Sequence, residues 1–296
     1  MGQQVSKPGP PTTKMQVLGL GASRTGTASF TKALEILLDG PAYHSGGQMI
    51  DGGSNSHMWK WTEVLRVSYR HRRDPNSITK ADRAYQKYLI AQLVQGFVAV
   101  TDTPCCLYAE ILMELFPDAK VIVTTRDEEQ WWQSHQRLVA NISGRPWLQR
   151  ILLFWLPGMR HWTEWLELLG GGRYAEVCAG KDGQLPNGPE LYRNHMNYLA
   201  RAVPEDKLFY YDVKSGWDPL CKILGVPVPE VDFPHINDAK SMEAIGRKVF
   251  LSAIMLWAGV LFAIGIAVAG LFYGRQYGIT LITVLHGAID RICHCR

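Results

Sequence analysis

Short apolar runs rich in β-branched residues alternate along most of this chain with longer stretches whose apolar positions recur every three or four residues. The first pattern is that of strands buried on both faces, the second that of helices laying one face on them. A run opening at Met15, a second ending at Tyr43 and His44, and those at 97–101, 120–125 and 207–212 read as strands; 107–116, 189–201 and the stretch from Trp217 read as helices. Their alternation predicts an α/β fold on a parallel sheet. The C-terminal region breaks the pattern. Residues 249–273 carry no charge, are flanked by Arg247, Lys248 and Arg275, and can cross a hydrocarbon core of roughly 30 Å at about 1.5 Å per residue. Residues 277–289 are apolar but too short to span, and suit an interfacial segment or the second arm of a hairpin.

Between the first strand and its helix stands Leu20-Gly-Ala-Ser-Arg-Thr-Gly-Thr27. Backbone N–H groups at a helix start have no intrahelical partner, and with the helix dipole they form an anion site. Gly19, Gly21 and Gly26 permit close approach of a ligand. Gly21 and Gly26 have Walker spacing, but Thr27 and Ala28 stand where Lys and Ser/Thr are required, which argues against nucleotide triphosphate hydrolysis. The dinucleotide fingerprint requires a glycine where Arg24 stands, and no ribose-binding acid follows the second strand, which argues against a Rossmann dehydrogenase. A strand-to-helix turn without function is the competing reading.

Arg126 ends the strand at 120–125, and Ser134 follows two turns into the next helix. Arginine offers a planar fork of donors to phosphate oxygens and serine adds one more. The competing reading is a surface ion pair of Arg126 with Asp127 or Glu128. Late in the chain come Leu224-Gly-Val-Pro227 and Phe233-Pro-His-Ile-Asn-Asp238.

Together these motifs resemble the P-loop sulfotransferase family, particularly a branch frequent in fungi and other eukaryotes, from about Lys14 to about Met242. The resemblance implies a three-layer α/β fold and the co-substrate 3′-phosphoadenosine 5′-phosphosulfate (PAPS), with no metal. By that resemblance Thr25, Gly26 and Thr27 hold the 5′-phosphate, and Arg126 and Ser134 hold the 3′-phosphate. Arg24 takes the place of the family's catalytic Lys or Arg, stabilising charge on the bridging oxygen. In that family the final loop closes over the co-substrate, which makes Asn237 and His235 candidates for its contacts. Cytosolic sulfotransferases place Thr-His-Leu-Pro where this chain has Thr101-Asp-Thr-Pro104, so Asp102 stands in the place of the catalytic histidine. A carboxylate can abstract the acceptor proton when burial raises its pKa. Alternatively Asp102 caps the helix after Pro104. His44 is the other candidate base, or a hydrogen-bonded structural residue.

Residues 144–172 carry Trp147, Trp155, Trp162 and Trp165 among aliphatic residues, with Arg150, Arg160 and His161 interspersed. Short amphipathic helices here would line an acceptor site for a bulky apolar small molecule or lipid, or simply pack as core or interface. The expected organisation is a disordered lead-in at 1–13, a catalytic domain at 14–242 with a helical insert at about 144–202, a transmembrane helix at 249–273 and a tail at 274–296.

Net charge of +4 is modest, and the basic run at 70–73 reads as a solvated helix end, so no nucleic-acid partner is expected. The six cysteines have no zinc spacing, and without a signal peptide the domain is expected in a reducing compartment. A single late span predicts a tail-anchored membrane protein whose catalytic domain faces the cytosol. Gly2 and Ser6 fit a myristoylation motif, which would make the chain a lipoprotein with a second anchor. Sulfuryl transfer to a hydroxyl or amine is the expected activity. Two alternatives stand beside it: the same fold redeployed for cyclisation or dehydration of a natural-product precursor, and a non-catalytic nucleotide-binding membrane protein.

Overall fold

The computed structural model describes residues 6–51, 55–236 and 238–293. It divides into two compact units, residues 1–248 and 249–296. Gly2 and Asn237 lie outside the described residues.

In the first unit the chain repeats strand then helix. Strand β1 (Val17–Gly19) leads to α1 (Thr27–Leu38), and β2 (Ala42–His44) to α2 (Ser45–Asp51), α3 (Asn55–Arg73) and α4 (Lys80–Val94). After β3 (Ala99–Thr101) comes α5 (Ala109–Leu115). Strand β4 (Lys120–Thr125) is followed by α6 (Glu128–Ile142), α7 (Pro146–Leu152), α8 (Trp162–Gly171), α9 (Arg173–Cys178) and α10 (Glu190–Ala202). Strand β5 (Leu208–Asp212) precedes α11 (Trp217–Leu224).

The strands form one sheet in the order β2-β3-β1-β4-β5, and every recorded pairing is parallel, as the strand–helix alternation predicts. Residue alternation explains the three layers, because successive side chains leave a strand on opposite faces. Val17, Ala42, Ala99 and Ile122 pack with Phe30 and Leu34 of α1 and with Trp217 and Leu220 of α11. Leu18, Tyr43, Val100, Val121 and Val123 pack on the other face with Trp61 of α3, Leu89 of α4, Leu112 of α5 and Trp131 of α6.

Local sequence fixes several helix starts. Thr79 accepts a hydrogen bond from the Asp82 N–H and Asp82 accepts one from the Thr79 N–H, a reciprocal capping box that starts α4. Asp127 caps α6 by accepting from the Gln130 N–H, and Glu128 and Glu129 in its first turn complement the dipole. Part of the expected lead-in is tethered to the domain: the Gly9 N–H donates to the Gly96 carbonyl at 2.8 Å, and Gln48 Nε2 donates to the Ser6 carbonyl at 2.6 Å.

The second unit, as far as it is described, belongs to α12 (Asp238–Cys293). Its stretch Gly246–Arg275 has a mean hydropathy of 2.4 and is long and apolar enough to cross a membrane. Only 6% of its most apolar window is buried, unlike the core helix of a soluble protein. The helix runs on through 277–289 without a turn, so the described backbone contains no hairpin there.

Candidate active site

The sheet order places the site. Strand β1 lies between β3 and β4, and the chain first builds leftward to β2 and β3, then rightward to β4 and β5. Crevices open at the C-terminal ends of strands where such a reversal occurs. The loop after β1, Asp102 after β3 and Arg126 after β4 all stand at that edge.

The loop is built tightly against β4. A Cβ at Gly21 would lie 1.9 Å from Thr124 Oγ1 and 2.7 Å from the Thr124 nitrogen, so only glycine fits. Arg24 and Gly26 both adopt positive φ, 76° and 89°, which turns the chain into α1. No side chain caps α1 at Gly26, leaving its first-turn amides to an anion. Thr25 does not offer its hydroxyl to that anion in this arrangement. Its Oγ1 donates to the Ala22 carbonyl at 2.7 Å and contacts Thr124 Oγ1 at 2.5 Å, holding the loop shut.

Arg24, Ser134 and Arg126 come together. Arg24 Nε donates to Ser134 Oγ at 3.1 Å, and an Arg126 terminal nitrogen donates to the Arg24 carbonyl at 3.0 Å. Arg126 Nε is buried with no hydrogen-bond partner among the described residues. The competing ion pair is not formed, because Asp127 caps α6 and Glu128 pairs with Arg193 at 2.7 Å. Trp131 and Tyr192, which no motif in the sequence singles out, complete this cluster. Trp131 Nε1 donates to the Ser23 carbonyl at 2.8 Å, and the Arg126 N–H donates to the Tyr192 hydroxyl at 3.2 Å. The signal for Trp131 was its position three residues before Ser134, on the same face of α6.

Asp102 is buried, with φ at 71°, an uncommon backbone for a non-glycine residue. Its carboxylate caps no helix: the Cys106 N–H bonds to the Asp102 backbone carbonyl instead. Oδ1 accepts from Ser23 Oγ at 2.6 Å and from Thr27 Oγ1 at 3.4 Å, while Oδ2 lies 3.7 Å from His44 Nε2. His44 Nδ1 accepts from the Gly47 N–H at 3.2 Å, so a neutral ring carries its proton on Nε2, facing Asp102 and Thr27.

A cavity of about 950 Å³ opens beside these residues. Ser23, Arg24, Thr27, His44 and Asp102 form its polar end; Trp131, Trp162, Trp165, Leu138 and Leu166 are among the apolar walls. The tryptophans of the insert therefore divide. Trp162 and Trp165 are buried at the cavity, whereas Trp147 is 60% exposed and Trp155 is 45% exposed. Pro234, His235 and Ile236 also line the cavity, and the Ile236 N–H donates to Ser29 Oγ at 2.9 Å, fixing that loop on the first turn of α1.

Burial holds His135 neutral, its pKa lowered to about 4, with Arg24 adding a smaller push in the same direction. His195 is likewise lowered to about 4 by burial. Both line the cavity.

The chain is 29% identical over 272 residues to the Ava biosynthesis cluster protein M of Aspergillus versicolor, an alignment covering 88% of this chain and 97% of that relative. The sequence profile of the Sulfotransferase domain matches residues 16–242, from the start of β1 past the cavity loop at 234–236, and the chain belongs to that family.

Proposed function

We propose that the protein is a membrane-anchored sulfotransferase that uses PAPS to modify a hydroxyl or amine of an apolar small molecule or lipid. The observation that carries this reading is the cluster of Arg24, Arg126 and Ser134 beside the uncapped start of α1: donors for two phosphates at one strand edge. The residues fit the co-substrate. Gly21 and Gly26 let the backbone cradle a phosphate, and the buried Arg126 Nε lacks a partner that a phosphate oxygen would supply. Amides of Gly26 and Thr27 would hold the 5′ side, the Thr25 N–H being turned to the Ala22 carbonyl at 3.3 Å, and Arg126 with Ser134 would hold the 3′-phosphate. PAPS, when bound, supplies the sulfuryl group.

The protein's own part is positional and electrostatic. Arg24 would place positive charge beside the bridging oxygen of the bound donor. Asp102 takes the proton of the attacking hydroxyl or amine, and its bond from Ser23 aims the carboxylate. His44 serves as a positioning residue, since its Nε2 presents a proton to Asp102 and no lone pair to an acceptor. The walls around Trp162 and Trp165 exclude water and receive the apolar body of the acceptor.

The apolar helix from 246 to 275 would anchor the chain once, with the catalytic domain in the cytosol. Protease digestion of sealed microsomes tests this: loss of the domain from intact vesicles is expected, and protection would overturn the orientation. Incubating the full chain with sulfur-labelled PAPS and phenolic and alcoholic acceptors tests the chemistry, with label in the acceptor as the expected result. A second reading, cyclisation or dehydration of a natural-product precursor, is favoured by Asp102 in place of the histidine and by the relative's membership of a biosynthesis cluster. Failure of the wild-type chain to bind the nucleotide, together with unlabelled product, would select it.

A further inference from the structure

Trp147, Leu148, Ile151, Phe154 and Trp155 follow one another at the spacing of a single helix face, through α7 and the turn after it. Such a stripe ordinarily lies on a core. Here Trp147 is 60% and Phe154 59% exposed, and the other three are exposed as well. The segment is nonetheless fixed in place. Leu153 and Met159 pack partly buried against the main core, Gln149 Nε2 donates to the Ile142 carbonyl at 3.2 Å, and the Phe154 and Trp155 rings meet edge to face at 5.2 Å. Elsewhere in the first unit, exposed large apolar side chains stand singly or in pairs among the described residues. A gathered apolar face on a built segment marks an interaction surface.

The charge around this face has one sign. From Gln130 to Thr163 the chain carries Arg137, Arg145, Arg150 and Arg160 and no Asp or Glu. All four arginines are exposed. Arg145 immediately precedes α7 and Arg150 stands in its last turn. Arg150 lies 3.6 Å from Glu167, with both side chains open to solvent, a pair too weakly held to cancel its charge toward a stronger anionic surface. Tryptophans flanked by arginines match the boundary between acyl chains and anionic headgroups. The tether favours lipid over a second protein. Ile236 is fixed on Ser29, and Gly246, where the span-length stretch opens, follows after ten residues, at most about 35 Å of extended chain. A surface held so near a bilayer meets it at high effective concentration.

We propose that α7 and the turn after it dock the domain on an anionic bilayer, with Trp147, Leu148 and Phe154 entering the acyl boundary and Arg145 and Arg150 meeting the headgroups. The proposal rests on the reading of residues 246–275 as a membrane span. Docking then gives the domain a second hold on the same membrane and a fixed face toward it.

Photo-crosslinking of the full chain in proteoliposomes tests this. Trp147→p-benzoylphenylalanine is compared with Tyr88→p-benzoylphenylalanine, on the exposed face of α4; both side chains are more than half exposed, so neither change empties the core. In phosphatidylcholine with about one-third phosphatidylserine, irradiation should give at least about fivefold more lipid adduct at 147 than at 88, and omitting phosphatidylserine should lower the yield at 147 about fivefold. Equal yields at the two positions overturn the proposal. So do a yield at 147 indifferent to phosphatidylserine, and an adduct at 147 to a second protein chain in place of lipid. Carbonate extraction of the wild-type chain is scored separately: release from the vesicles counts against the span, while the adduct yield at 147 still decides the docking of α7.

Discussion

Arg24 Nε donates to Ser134 Oγ at 3.1 Å, tying the loop after β1 to the second turn of α6 across 110 residues of sequence. The bond joins the residue assigned to charge stabilisation to one assigned to the 3′-phosphate, so the two halves of the clamp form one unit. Arg24→Ala should lower turnover by about two to three orders of magnitude, measured with labelled PAPS. Arg24→Gly separates charge from backbone, because glycine accepts φ of 76° without strain. Equal losses in both variants are expected; recovery in the glycine variant would assign the effect to loop strain.

Asp102 and His44 are distinguished by substitution. Asp102→Asn tolerates the left-handed backbone and can still accept from Ser23, yet it cannot take a proton. Transfer rate should fall by about two to four orders of magnitude. His44→Gln should cost less, since a positioning residue is being replaced by another donor. A larger loss in His44→Gln would reverse the assignment.

Gly21→Ala places a Cβ 1.9 Å from Thr124 Oγ1 and 2.7 Å from backbone nitrogen, which rotamer change cannot relieve. A destabilisation of about 1–3 kcal/mol is expected in denaturant titrations, with loss of nucleotide binding. Wild-type stability in this variant would mean that the loop does not pack on β4 as described.

Stability should fall as pH is lowered through the window set by two buried histidines. His135 faces Tyr174 and Arg24, and His195 faces the Cys106 carbonyl and Tyr198; both have pKa lowered from 6.5 to about 4, chiefly by burial. Between those values the unfolded chain binds more protons than the folded one, so stability rises with pH there. The contribution is full above about 6.5 and is lost as pH falls toward 4. Each ring adds a slope of at most about 1.4 kcal/mol per pH unit. The Tm should rise from pH 4 to 7 accordingly, and His135→Phe or His195→Phe should flatten that rise.

Much of the fold was legible because each strand is a short apolar run bounded by loop chemistry, and because the β1 loop and the Arg126 and Ser134 pair carry their chemistry in local spacing. What escaped depends on contacts distant in sequence. Asp102 could be read as a helix cap from Pro104 alone; only the approach of Ser23, 79 residues earlier, reveals an aimed carboxylate. Arg126 could be read as a surface ion pair until Arg193 takes Glu128. The four tryptophans of the insert look alike in sequence, yet two are at the cavity and two are at the surface.

The central claim is the two-phosphate clamp, and calorimetric titration of the full chain in detergent with 3′-phosphoadenosine 5′-phosphate tests it most directly. One site per chain is expected, with affinity falling at least about a hundredfold in Arg126→Ala, the scale of a lost charge-assisted bond to a buried phosphate. No binding by the wild-type protein, or equal binding by the variant, would contradict it.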